Sequence, residues 1–73
     1  MSENITGERL EKLREERGYT KQRLSELMGM KTYTSITAWE NGTNFPRGRE
    51  IIKLAKLYNV SADYILGLSN SRK

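Results

Sequence analysis

The sequence predicts an all-α fold, a compact bundle of five short helices, on three observations. Apolar residues recur at i and i+3, in some places with i+4 added, in five separate stretches. Each stretch is preceded by a residue suited to a helix start and followed by a glycine or asparagine suited to the left-handed backbone that ends one. And 73 residues without a cysteine make a single small domain whose stability must come from packing alone.

The first expected helix covers residues 5–17. Leu10 and Leu13 carry its apolar spacing, Asn4 or Thr6 can cap it, and Gly18 stops it. Its Glu and Arg residues read as a solvated face laced with i,i+4 pairs. Arg14 is the exception: it lies beside Leu13 near the buried edge, where a guanidinium needs a carboxylate partner. Thr20 caps the second helix, residues 21–28, which sets Leu24, Leu27 and Met28 on one face and ends at Gly29. Ser25 falls on that apolar side; it is small enough for a close helix crossing, and its hydroxyl can bond back to the carbonyl four residues earlier.

Thr32 is the expected cap of a third helix that runs through Glu40 and closes at Asn41-Gly42. Ile36 and Trp39 give it one narrow apolar stripe, which makes Trp39 a core residue. Tyr33, Thr34, Ser35, Thr37 and Ala38 occupy the other sides. That outward face carries hydroxyls, a ring and a methyl but no charge, and short β-branched residues form helices less readily than Glu, Lys or Gln. It suits a surface that lies close against something else. Two turns of helix are marginal alone, so neighbours must hold this one. Together the second and third helices and the glycine-bearing turn between them make a helix-turn-helix arrangement.

A polar loop follows, with Phe45 expected to tuck inward. Pro46 then starts a fourth helix over residues 47–58, with Ile51, Leu54, Ala55 and Tyr58 at i, i+3, i+4 and i+7, and Asn59 ends it. In the fifth, Ser61 is the cap, Asp63 sits in the first turn where the helix dipole favours it, Val60 is placed to staple against Ile65, and Gly67 is the stop. The domain is therefore expected to be 1–68, with 69–73 a frayed polar tail or the start of a linker.

Charge is unevenly spread. The net charge is +4, but residues 1–20 are balanced, whereas residues 21–49 hold Lys21, Arg23, Lys31, Arg47 and Arg49 against Glu26 and Glu40 alone. The basic excess thus surrounds the third helix, as a polyanion-binding surface requires, although soluble domains that bind none also carry such excesses. With no histidine and no cysteine, the commonest general base, thiol nucleophile and metal ligands are missing. Five short helices leave little room for a cleft, so an enzyme is rejected, and no cofactor, metal or small-molecule ligand is expected. No apolar run approaches the roughly 20 residues that span a bilayer, and the start of the chain lacks the pattern of a signal peptide, which makes the cytoplasm the expected location.

The ordered set Arg14, Thr20, Leu24, Ser25, Gly29, Ile36, Trp39-Glu40-Asn41-Gly42, Pro46, Leu54-Ala55 and Val60 to Gly67 resembles the lambda-type repressor and Cro family of helix-turn-helix regulators, also called XRE-like. The resemblance covers roughly residues 5–68 and implies a lambda repressor-like DNA-binding domain. Three departures stand out. Gly29 precedes Ile36 by seven positions where the family has six, so the turn holds one extra residue, placed at Met30-Lys31. Ser25 stands where alanine is usual, and Lys21 where glutamine is usual.

The major groove admits one helix, and its base edges offer donors, acceptors and the thymine methyl to short side chains. The resemblance assigns base reading to Tyr33, Thr34, Ser35, Thr37 and Ala38, with Tyr33 either over a sugar or base or turned back toward the lengthened turn. Phosphate contacts fall to Lys21, Thr32, Asn41, Thr43, Asn44 and Arg47, with Lys31 and Arg49 added on charge; each is equally readable as a solvated surface residue. Arg14 and Glu40 are expected to form a structural ion pair.

The expected function is a sequence-specific transcriptional regulator of double-stranded DNA, of the phage or mobile-element repressor type, bound to a pseudo-palindromic operator as a homodimer. Tyr58, Tyr64, Leu66 and Leu68 are candidates for the dimer surface, with the core as their other reading. The alternative is a protein-interaction module of the same fold, antitoxin or antirepressor-like.

Overall fold

The computed structural model describes residues 4–73, and those residues form five helices and no strand. They are α1 (Ile5–Glu16), α2 (Lys21–Met28), α3 (Thr34–Asn41), α4 (Gly48–Tyr58) and α5 (Ala62–Leu66). Local chemistry sets most of the boundaries. Asn4 Oδ1 accepts from the Gly7 amide, Thr20 Oγ1 from Arg23 and Ser61 Oγ from Tyr64, so the starts of α1, α2 and α5 are each capped by a side chain. Gly29, Gly42 and Gly67 end α2, α3 and α5 at positive φ, and Asn59 does the same for α4 at φ 55°. At the start of α4 the Glu50 carboxylate accepts from the Arg47 amide at 2.7 Å. A guanidinium cannot accept a bond in return, so only the Glu50 half of a reciprocal cap forms.

One core holds the helices together. It joins Leu10 and Leu13 of α1, Leu24 and Met28 of α2, Ile36 and Trp39 of α3, Ile51, Leu54 and Tyr58 of α4, and Tyr64 and Ile65 of α5. Here α3 lies against α1 and α2, while α5 closes the bundle against α1 and α4. Ser25, wholly buried, donates to the Gln22 carbonyl at 2.6 Å, one residue nearer than the expected four-residue back-bond. The small side chain lets α2 pack closely without leaving its hydroxyl unpaired.

Several expectations are corrected. Thr32 is not the cap of α3: the helix begins at Thr34 with Tyr33 at the cap position, and Tyr33 makes no side-chain cap bond. Thr32 Oγ1 accepts from the Thr34 amide at 3.4 Å and donates to the Thr34 hydroxyl at 3.3 Å, so Thr32 stands in the turn before the helix. Phe45 is not tucked inward but 57% exposed, because the neighbouring Pro46 takes the buried place in the loop. Leu27 is also substantially exposed, on the edge of the α2 stripe. Tyr58 and Tyr64 are core residues at 3% and 8% exposure and are removed from the candidate dimer surface; Leu68 is open to solvent.

Several residues of the 69–72 stretch make hydrogen bonds to the helices. Arg9 donates to the carbonyls of Tyr64 and Ser69 and to Asn70, the Ser61 amide donates to the Arg72 carbonyl at 2.6 Å, and Arg72 meets Glu16 through two 2.8 Å bonds. The Arg72 guanidinium also lies 5.4 Å from the Tyr64 ring centroid. No helix among the described residues is long and apolar enough to cross a membrane.

Candidate nucleic-acid interface

The sequence of α3 divides it into two unlike faces. Ile36 and Trp39, at 1% and 3% exposure, drive one face into the core. Thr34, Thr37, Ala38 and Asn41, spaced i, i+3, i+4 and i+7, fall on the other. Thr34 and Asn41 are exposed, Thr37 and Ala38 half-exposed. Ser35 sits to one side, in a crevice it shares with Asn44 and Arg47. Tyr33 sits to the other, 47% exposed and lining a crevice with Arg14, Thr20, Lys21 and Gln22. Its ring is therefore at the edge of the α3 face, beside the start of α2. Gln22, at that edge, is absent from the sequence-based site; its only signal was its place in the first turn of a helix.

An ion pair holds this rod to the scaffold. Arg14 Nε donates to Glu40 Oε2 at 2.8 Å, and Arg14 Nη2 to Glu40 Oε1 at 3.1 Å. Both side chains are largely buried, at 12% and 5% exposure. Arg14 Nη1 also donates to the Tyr19 carbonyl at 2.9 Å, so one guanidinium ties α1, the turn before α2 and the end of α3 together. The Glu40 hydrogen bonds hold the Arg14 guanidinium protonated more firmly than an ordinary arginine.

Among the described residues, four cations around the open face enter no ion pair. The ion pairs among the described residues are Arg14 with Glu40, Arg23 with Glu26 and Arg72 with Glu16. Lys21, Lys31, Arg47 and Arg49 enter none of them. Lys21 begins α2 beside Tyr33, exposed Lys31 stands in the turn leading to α3, and exposed Arg47 and Arg49 stand at the start of α4. Cations on the flanks of an uncharged outer face raise the local potential for an anion without placing charge on that face itself.

In the loop after α3, Asn41 Oδ1 accepts from the Thr43 amide and Asn44 Oδ1 from the Phe45 amide, each at 2.9 Å. With the oxygens so engaged, the Nδ2 donors are what these exposed asparagines offer a ligand. Thr43 is likewise exposed, and Thr32 is exposed in the preceding turn. Of the candidate residues, Tyr33 shares a crevice with Lys21, and Ser35 shares one with Asn44 and Arg47, while Asn41, Thr43 and Asn44 also line a groove with Ile5, Phe45 and Leu66; Lys31 and Thr32 stand exposed in the turn before α3. Tyr33 precedes the helix instead of belonging to it.

Comparison with known proteins follows this geometry. A family model described as Helix-turn-helix matches residues 10–65. Over 61 residues the chain is 34% identical to the HTH-type transcriptional regulator ImmR of Bacillus subtilis (strain 168), a match covering 84% of this chain and 47% of that protein. Over 60 residues it is 35% identical to an SPbeta prophage-derived uncharacterized HTH-type transcriptional regulator, YonR, of the same organism, covering 82% of this chain and 55% of YonR. The chain spans about half the length of the curated relatives it matches.

Among solved structures, the P22 c2 repressor protein in complex with synthetic operator 9T superposes with a TM-score of 0.77 at 26% identity, covering 84% of this chain and 91% of that one. The five-helix architecture is that of the lambda-like repressor domain, and the relatives are regulators rather than enzymes. The chain belongs to the lambda-type, XRE-like helix-turn-helix family.

Proposed function

We propose that this chain is a sequence-specific regulator of double-stranded DNA that lays α3 in the major groove of a pseudo-palindromic operator and binds as a homodimer, in the manner of a phage or mobile-element repressor. The observation that carries the reading is the neutral outer face of α3 flanked by the cations Lys21, Lys31, Arg47 and Arg49. A prophage-derived relative and a structural neighbour that is an operator complex support it.

Division of labour follows from the side chains. Thr34, Ser35 and Thr37 bring hydroxyls that donate or accept at base edges, and Thr37 and Ala38 bring methyls that meet thymine. Tyr33, at the edge, stacks on the sugar or base that flanks the groove. Lys21, Arg47, Lys31, Thr32, Asn41, Thr43 and Asn44 hold phosphates and set the register of α3 without reading sequence.

A salt titration on a duplex selected from a random pool tests this. Affinity should fall steeply with salt, with a log–log slope of about −0.9 per phosphate contact. Lys21→Ala or Arg47→Ala should weaken all duplexes alike and reduce the slope by about 1, whereas Thr34→Ala or Thr37→Ala should change the preferred sequence. Weak binding that is flat in salt would instead favour a partner-binding module of the same fold. Four variants with one shared effect would refute the division between readers and anchors.

A further inference from the structure

The chain holds five asparagines, Asn4, Asn41, Asn44, Asn59 and Asn70, and Asn41 is the one followed by glycine. Asparagine counts among the thermolabile residues. Its side-chain amide is lost when the backbone nitrogen of the next residue reaches the side-chain carbonyl carbon. Glycine offers that nitrogen with no Cβ beside it. The other followers, Ile5, Phe45, Val60 and Ser71, each set a side chain next to the attacking atom.

The fold adds three conditions at Asn41. The side chain is exposed, so water reaches it. The Gly42 amide donates to the Trp39 carbonyl at 3.4 Å, longer than the about 2.7–3.2 Å of ordinary bonds of this kind, so the nitrogen is loosely held. The Val60 amide, by contrast, donates to the Ala55 carbonyl at 3.0 Å, and the Ser71 amide to Ser69 Oγ at 3.1 Å. Last, the Thr43 amide donates to Asn41 Oδ1 at 2.9 Å. That bond draws electrons from the side-chain carbonyl carbon, and it is placed to hold the negative charge that an attack puts on Oδ1.

We propose that Asn41 is a site of self-modification, at which water converts the amide to a carboxylate through a ring closed on Gly42, and that this conversion weakens the grip of the chain on DNA. Hydroxide takes the proton of the Gly42 amide, and the nitrogen bonds to Asn41 Cγ. The Cγ–Nδ2 bond breaks, and ammonia leaves with a proton taken from water. Water then adds to either carbonyl of the resulting succinimide. One opening gives aspartate; the other gives isoaspartate, whose main chain runs through the former side chain.

The consequence for DNA rests on the function proposed above. Nδ2, the donor that Asn41 offers a phosphate, gives way to a charged oxygen, and the net charge of +4 falls by one. A carboxylate is also unfavourable at the C-terminal end of a helix, where Asn41 stands in α3. A duplex bound over Asn41 keeps water and hydroxide away, so free chains age while bound chains are spared.

The full chain, folded or in urea, is held in warm, mildly alkaline buffer and sampled by peptide mass mapping. Asn41 should convert at least about 10-fold faster than Asn70, the factor that one hydrogen bond more or less at the barrier produces. In the folded chain it should convert within about 10-fold of its rate in urea, since freeing the Gly42 amide costs one weak bond. An intact Asn41, an Asn70 that keeps pace with it, or stronger protection by the fold would overturn the site. The converted chain, separated by its lost charge, and Asn41→Asp, which supplies the aspartate product directly, are each checked for folding by thermal melting. Both should bind the duplex selected by the wild type about 10-fold or more weakly, with a log–log salt slope smaller by about 1. An excess of that duplex should slow the conversion. Unchanged affinity, or conversion as fast on DNA as off it, would overturn the effect on DNA. A wild type that bound no duplex in a salt-dependent way would remove the DNA reading itself, and mass mapping would still decide the site.

Discussion

Replacing Arg14 with methionine keeps the length of the side chain but strands the Glu40 carboxylate, which is 5% exposed. Loss of one partner from a buried, doubly hydrogen-bonded pair costs about 3–5 kcal/mol, because the remaining charge has neither water nor counter-ion. The Tyr19 carbonyl also loses its 2.9 Å bond, worth about 1 kcal/mol. A domain of this length has about 4–11 kcal/mol in total, so Arg14→Met should remove a large fraction of it. At about 4–8 °C per kcal/mol for a domain of this size, a loss of about 3 kcal/mol lowers the melting point by at least about 12 °C. Trp39 is the single tryptophan and is buried, so urea unfolding followed by its fluorescence reads the loss directly.

The paired variant Arg14→Met with Glu40→Leu should recover most of that loss, since a buried ion pair and a well-packed apolar pair are of similar net worth. A single-variant loss below about 1 kcal/mol, the scale of an exposed pair, would refute the reasoning. So would a double variant that loses the sum of the two singles.

Other outcomes follow from individual contacts. A Cβ at Gly7 would lie 2.5 and 2.6 Å from the Asn4 amide atoms and closer still to the Trp39 carbonyl, so Gly7→Ala should cost about 1–3 kcal/mol by urea unfolding. At Gly48, at the start of α4, a Cβ meets open space, and Gly48→Ala should leave stability unchanged or raise it by about 0.5–1 kcal/mol. Tyr58 has a buried hydroxyl without a hydrogen-bond partner among the described residues, and burial raises its pKa; Tyr58→Phe should therefore be neutral or stabilising in the same measurement. The Arg72 hydrogen bonds hold the Glu16 carboxyl below its usual range. A depressed carboxyl contributes above its unfolded pKa and stops contributing as pH falls through its folded value. Residues 69–73 should therefore stay docked through the ordinary carboxylate range and loosen only in stronger acid, seen as rising amide mobility by NMR.

What the sequence made legible is what is decided within a few residues. Asn4, Thr20 and Ser61 cap, and Gly29, Gly42, Asn59 and Gly67 stop, because each acts on backbone three or four positions away. The stripe of α4 is equally local. Errors lie where distant parts of the chain compete. Residue type alone points Phe45 inward, while Pro46 is the buried residue of that loop. Tail docking depends on Arg9 and Glu16 meeting residues some sixty positions later, which no periodicity reveals. The start of α3 lies one position past the one that counting back from Ile36 suggests, because Thr32 bonds to Thr34 within the turn.

For the site, the face of α3 was legible from its lack of charge. The place of Tyr33 beside Lys21 and Gln22 was not, since it depends on how α2 and α3 cross.

The core grips α3 through Ile36 and Trp39, and Arg14 grips it through Glu40, leaving Thr34, Thr37 and Ala38 outside the structural frame. Those three positions are thereby released from the duty of folding. Their identities are free to drift under selection for recognition alone, so descendants of one ancestral chain can acquire new targets a residue at a time without passing through an unfolded intermediate.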